Sequence, residues 1–240
     1  MLRILHADEH LVAIDKPPGL LVHRSALDAH EERFAVQLLR DQLGRTVWPV
    51  HRLDKGTSGV LLFALDAATA AAVSAQFEQG RVRKRYRALV RGWPGDAGVI
   101  DHPLARDPER PSTGQPMLDA RTDWNCLQRF EWPVTTDARF ATTRCALVEA
   151  RPRTGRRHQI RRHLKHIAHP IIGDATHGKG PLNRALAAWL GVQRLWLHAL
   201  EVELDHPVSG QALRLTAAPE PQWSFSSVTH SSTLSSMPEG

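Results

Sequence analysis

The chain has 240 residues and a mass of 26.8 kDa, enough to bury one substantial core without disulfides or a structural metal, so a single catalytic domain is expected. A formal charge of +6 and a pI near 10.0, with 31 Lys and Arg, point to a polyanionic partner. Cys126 and Cys145 lie far apart in no CxxC pair, which argues against a zinc ribbon, a redox motif and a secreted disulfide framework, while Asp8-Glu9 interrupts any N-terminal apolar stretch and no later run reaches membrane-spanning length, so a cytoplasmic protein without a membrane partner is expected.

Residues 2–7 and 11–15 are short apolar runs separated by Asp8-Glu9-His10, which predicts a hairpin ending at Lys16-Pro17-Pro18-Gly19. A helix is predicted over 33–43, then a strand at 47–53 running into His51-Arg52-Leu53-Asp54-Lys55-Gly56-Thr57-Ser58-Gly59, whose two glycines mark a tight loop. Residues 59–64 read as a buried strand, and Asp66 as the cap of an alanine-rich helix over 67–79 that stops at Gly80. A strand follows at 82–91. Residues 103–119 are rich in proline and charge without a period and read as an excursion loop, after which strands resume at 120–128 and 143–151.

Between Arg156 and Ile167, Ile160, Leu164 and Ile167 form one apolar stripe on an otherwise cationic helix. Another helix is predicted at 182–190, then strands at 195–204 and 211–216. Residues 1–223 form the expected catalytic domain, and the Ser-rich 224–240 an expected disordered tail. Strands outnumber helices and are joined by short turns, which predicts an α+β fold around a mixed, mostly antiparallel sheet flanked by helices.

Asp54 sits between a strand and a Gly/Thr/Ser turn, flanked by Arg52 and Lys55, a setting that keeps a carboxylate charged and aims it into a cleft. That suits a nucleophile or base, although these residues alone favour a turn aspartate held by local backbone donors. Tyr86, the single tyrosine, fits either an active-site residue whose ring stacks on an extruded base while its hydroxyl assists proton removal at C5, or an ordinary strand aromatic. Arg157, Arg161 and Lys165 at successive i, i+4 positions form one cationic ridge, from which one member can turn inward to Asp54. Lys84, Arg85, Arg156 and Arg162 extend that surface as candidate phosphate contacts.

The ordered segments Lys16-Pro17-Pro18-Gly19, HRLDKGTSG at 51–59, Lys84-Arg85-Tyr86, TGRRHQIRRHL at 154–164, Pro170-Ile171-Ile172-Gly173-Asp174 and Leu197-His198-Ala199 together resemble the RluA-type family of RNA pseudouridine synthases. The resemblance runs from about residue 3 to 216. It implies that Asp54 is the catalytic aspartate, Tyr86 the active-site tyrosine, Arg161 the arginine paired with the aspartate, and Arg52 the arginine that fills the gap left by an extruded base. It also implies an isomerase that uses no cofactor and no metal, in which Asp54 is nucleophile or base. The segments at 1–5, 21–25, 76–78 and 91–93 are most similar to a branch of the family acting on uridine 65 in the T stem of tRNA. A ribosomal RNA uridine is the alternative substrate, and a non-catalytic RNA-binding protein the alternative of another class. The catalytic pattern begins within the first few residues, so no S4-like RNA-binding module is expected, and a monomer without a protein partner is.

Gly173 to Gly180 superficially fits part of a phosphate-binding loop, but Gly180 stands where a Ser or Thr must hold magnesium. His158, His163, His166, His169 and His177 are dense, yet without HExxH or paired cysteines they read as part of a basic RNA-facing helix. The seven tryptophans read as core residues.

Overall fold

A computed structural model describes residues 1–24 and 31–225. The expected tail beyond Phe225 therefore lies outside the described residues. The run Ser58–Ala64 (β4) is buried at all seven positions, as a continuous apolar strand must be when both sheet faces are covered. Around it the strands order as β1 (Arg3–Ala7), β2 (Leu11–Lys16), β4, β11 (Leu197–Asp205), β5 (Arg83–Arg91), β10 (Thr143–Pro152), β9 (Arg121–Trp132) and β6 (Ala97–Asp101). Two further strands join from the side, β3 (Trp48–Pro49) on β4 and β12 (Ala212–Thr216) on β11. The helices are α1 (Ala35–Leu43), α2 (Ala67–Glu78), α3 (Gln159–His166) and α4 (Gly180–Leu190). The predicted α+β class with a mixed, mostly antiparallel sheet is what the chain adopts, and among the described residues no helix is long and apolar enough to cross a membrane.

The β4–β11 pairing is parallel, with His198 opposite Ser58 and Ala199 opposite Gly59, whereas the neighbouring pairings are antiparallel. This seam is closed by buried polar groups. His198 Nε2 faces the Ala217 carbonyl at 2.9 Å and must donate to it, so Nδ1 accepts from the Ser58 hydroxyl at 2.9 Å. Ser58 Oγ in turn accepts from Arg194 Nη2 at 2.7 Å. Gly59 has φ +105°, and a Cβ there would stand 2.2 Å from the Ala199 carbonyl oxygen. Only glycine lets the two backbones approach so closely.

Several predicted elements change on folding. The strand expected over 47–53 shrinks to Trp48–Pro49, since beyond it Leu62 N donates to the His51 ring nitrogen at 3.0 Å instead of to a strand carbonyl. The excursion is not a plain loop: β7 (Leu104–Ala105) and β8 (Met117–Leu118) pair into a short ribbon. Ala97–Asp101 forms an edge strand that the sequence reading missed. Asp66 caps α2 as expected, accepting from Thr69 N at 2.8 Å. Trp124, Trp132, Trp196 and Trp223 are core residues, whereas Trp93 and Trp189 are exposed.

Candidate active site

Asp54 lies on the turn that enters β4, with Thr57 N donating to the Asp54 carbonyl at 3.0 Å. The turn is fastened from below by Lys16, whose side chain is fully buried. Its Nζ donates to the carbonyls of Leu20 (2.7 Å), Pro17 (2.9 Å) and Lys55 (3.1 Å). Three donors meet three acceptors, so the ammonium is saturated although burial pulls its pKa down to about 7. Gly19 N also donates to the Lys55 carbonyl, at 2.8 Å. The Lys-Pro-Pro-Gly segment and the Asp54 turn are thus one unit.

Arg161 reaches Asp54 from α3, and its neighbours fix where that helix begins. The Gln159 side chain accepts from Thr154 Oγ1 (2.7 Å) and Arg156 N (2.9 Å) and donates to the Arg121 carbonyl and Thr122 Oγ1, both at 3.0 Å. His163 spans Thr122 Oγ1 (2.9 Å) and the His102 carbonyl (3.0 Å). With α3 held at Gln159 and His163, Arg161 is 8% exposed and holds two carboxylates. Nε and Nη2 donate to Asp174 at 2.7 and 2.8 Å as a fork, and Nη1 donates to Asp54 Oδ2 at 2.8 Å. Burial opposes the Arg161 charge, but the hydrogen bonds and charges of the two carboxylates outweigh it and raise its pKa. Burial likewise opposes the Asp174 charge, and the Arg161 contact overrides it, leaving that carboxyl below its ordinary range. Asp174 also accepts from the backbone N–H groups of Thr176 (3.0 Å) and His177 (2.8 Å).

Two cavities meet at Asp54. One, of about 570 Å³, is lined by Asp54, Tyr86, Lys84, His51, His158 and Arg161. The other, of about 540 Å³, continues past Asp54 and Arg161 to Gly173, Asp174 and Glu109. Burial, and then the Asp54 charge, raise the Tyr86 hydroxyl pKa, so Tyr86 stays protonated at neutral pH. Lys84 donates to the Thr154 carbonyl at 3.2 Å, and burial brings its pKa to about 8. His51 stacks on Phe77 at 4.8 Å and accepts from Leu62 N at 3.0 Å. Burial pushes its pKa to about 3, so it is a neutral acceptor.

Asp54, Tyr86 and Arg161 are therefore brought together, and the exposed Arg52 borders both cavities. The expected i, i+4 ridge does not form. His158 takes left-handed backbone angles and α3 starts only at Gln159, so Arg157 precedes the helix while Arg161 is buried and Lys165 is exposed. Arg157 instead pairs with Asp107 (3.5 Å) and with Glu109 on the excursion. Arg156 donates to the Asp119 carbonyl and Arg162 to the Ala105 carbonyl, each at 2.9 Å. Arg85, one residue out of phase with Lys84 and Tyr86, points to the other sheet face and pairs with Glu201 (3.1 Å) and Glu149 (3.5 Å). Sequence reasoning named Lys16, His158 and Asp174 only as members of motifs, and read His158 and His177 as part of a basic RNA-facing helix, whereas His177 lies in the loop before α4. These residues lie far apart in the sequence, and nothing in the runs around them shows that they converge.

The comparisons agree with this geometry. Residues 10–166 match the family described as RNA pseudouridylate synthase. The chain is 46% identical over 228 residues to "tRNA pseudouridine synthase C" of Vibrio cholerae, covering 93% of each chain, and 46% identical to the protein of that name from Salmonella typhimurium, covering 93% of this chain and 87% of the relative. Among solved structures, "Human RNA Pseudouridylate Synthase Domain Containing 1" superposes with a TM-score of 0.71 at 25% identity, covering 92% of this chain and 84% of that one. "Human RNA Pseudouridylate Synthase Domain Containing 4" gives 0.66 at 27% identity, covering 91% and 89%. A matched family over more than half of the chain, close relatives along nearly its whole length and the shared fold lead to one assignment: the chain belongs to the RluA-type RNA pseudouridine synthase family and is an isomerase.

Proposed function

We propose that the protein converts uridine to pseudouridine in tRNA, at position 65 of the T stem, with Asp54 as the nucleophile or base of the reaction. The observation that carries this reading is the Arg161 guanidinium, which holds Asp54 at 2.8 Å while its other edge is locked on buried Asp174. One Asp54 oxygen is thereby fixed, and the other faces the joined cavities, where it can meet the ribose or the base. The Tyr86 ring provides a stacking face beside it, and its protonated hydroxyl a hydrogen-bond donor.

Isomerisation requires the uridine to leave its helix, which costs on the order of a few kcal/mol. Arg52, exposed and lining both cavities, is the residue proposed to fill the vacated stack. Lys165, Lys84, Arg156 and Arg162 are read as the positive surface for the backbone, while Arg157 is held by Asp107 and Glu109 until the excursion releases it. The enzyme is read as a monomer, and a tRNA substrate supports a cytoplasmic one. The names of relatives that cover 93% of this chain support tRNA over ribosomal RNA.

The test is to incubate the wild-type protein and Asp54→Ala with tRNA and ribosomal RNA from a strain lacking the gene, then map pseudouridine at single-nucleotide resolution. A wild-type-only signal at tRNA position 65 is expected. A ribosomal signal would keep the chemistry and overturn the substrate.

A further inference from the structure

Several cations around the site are matched by the protein itself. Lys16 is saturated by three carbonyls, Arg161 by two carboxylates and Arg157 by Asp107 and Glu109. Lys84 is not. It lines the cavity that holds Asp54 and Tyr86, it stands two residues before Tyr86 on the same face of β5, and it is partly buried. Among the described residues no carboxylate pairs with it, and the Thr154 carbonyl takes one of its three donors. Burial opposes its charge and nothing compensates. A partly desolvated ammonium without a counter-ion costs stability, and an anionic ligand would offset that cost. Gly155 leaves the ammonium uncovered, since a Cβ there would stand 3.9 Å from Nζ.

A second donor opens on the same cavity. His51 Nε2 accepts from Leu62 N at 3.0 Å, so the proton of the neutral ring sits on Nδ1. One face of the ring is stacked on Phe77, and Nδ1–H finds no acceptor among the described residues. The Lys84 charge adds to burial in holding the ring neutral, as expected of two groups at one end of a cavity.

We propose that His51 and Lys84 form a phosphate subsite inside the catalytic cavity, which takes the phosphodiester next to the extruded uridine. This rests on the uridine-isomerising reading above. An extruded nucleotide stays attached to its strand, so a uracil lying against Tyr86 brings an adjoining phosphate into the same cavity. Lys84 lies about 7 Å along β5 from Tyr86, toward the exposed residues Gly80, Gly155 and Arg156. One ammonium and one neutral N–H match the single negative charge of a phosphodiester, whereas a uracil carbonyl has no charge to offset that of Lys84.

The experiment crosses protein variants with RNA in which one or the other phosphate flanking the target uridine is replaced by an uncharged methylphosphonate. Lys84→Met removes the ammonium at similar volume, and His51→Gln keeps an acceptor for Leu62 N while removing the ring N–H. On all-phosphate RNA, kcat/KM should fall about 10- to 10²-fold for Lys84→Met and about 2- to 10-fold for His51→Gln. At one of the two positions the methylphosphonate should slow the wild type by about the Lys84→Met factor and should slow Lys84→Met no further. His51→Gln should show the same loss of additivity, which tests the subsite independently. Variant defects that persist in full on both methylphosphonate RNAs, as a contact to the uracil or a loss of structure would give, would overturn the proposal alone, and so would wild-type rates in both variants. Failure of the wild-type protein to form pseudouridine on all-phosphate RNA would overturn the function reading, and this proposal with it.

Discussion

Replacing Asp174 by Asn separates the two carboxylates that share Arg161. Asp174 has no side-chain exposure, accepts the Arg161 fork and also takes two backbone N–H groups. Asparagine keeps the shape but removes the charge and turns one acceptor into a donor facing the guanidinium. Breaking a buried pair costs roughly 3–5 kcal/mol, and because Arg161 keeps Asp54 as a partner the lower end, about 3 kcal/mol, applies. At about 3 °C per kcal/mol for a chain of this size, the melting temperature should drop by about 10 °C. The fork also aims Nη1, so Asp54 loses its fixed position and single-turnover pseudouridine formation should slow about 10²-fold. Asp54→Asn should behave in the opposite way. Arg161 keeps its fork to Asp174, and the carbonyl oxygen of the new amide can still accept from Nη1, so stability should change by less than about 1 kcal/mol while the reaction stops. Thermal melts and single-turnover kinetics on both variants decide the matter. An Asp174→Asn protein that melts within a degree of wild type and reacts at full rate would refute the division of roles.

Three other outcomes are expected. Gly59→Ala combines φ +105° with a Cβ placed 2.2 Å from the Ala199 carbonyl oxygen, so it should cost more than about 4 kcal/mol and give little folded protein, measured by yield and circular dichroism. His177 has its pKa lowered by burial from 6.5 to about 4, so as pH falls the unfolded chain binds the proton first. Stability is then lost between those values, by about 1–2 kcal/mol after allowance for solvent screening, and pH-dependent melts of His177→Gln should flatten that limb. Asp107→Asn with Glu109→Gln releases Arg157 from the excursion, so RNA should bind about two- to fivefold tighter at low salt with a steeper salt dependence, read by fluorescence anisotropy.

Elements whose signal is local were legible in the sequence. The β1–β2 hairpin, the apolar run of β4 and α2 with its Asp66 cap each follow from neighbouring residues. Ala97–Asp101 was not, because a five-residue edge strand between Gly- and Pro-containing turns has no period to show. The start of α3 was also misplaced, since helix propensity does not reveal that His158 takes left-handed angles. In the site, Asp54, Tyr86 and Arg161 were found through spaced motifs. Asp174 was hidden because its partner lies 13 residues away and is reached only when the loop before α4 closes. Lys16 was hidden for another reason: a lysine saturated by three carbonyls is indistinguishable in sequence from one in water. The basic residues around α3 show the converse, since several of the charges expected to face RNA are held by the excursion.

The central claim is that Asp54, fixed by Arg161, is the carboxylate that isomerises the uridine. The most direct measurement is single-turnover pseudouridine formation on a tRNA transcript by wild type and Asp54→Asn, with RNA affinity and melting temperature measured on the same preparations. The account predicts product at position 65 with the wild type and none with the variant, at matched affinity and stability. Product formed by Asp54→Asn at a rate near wild type would contradict it.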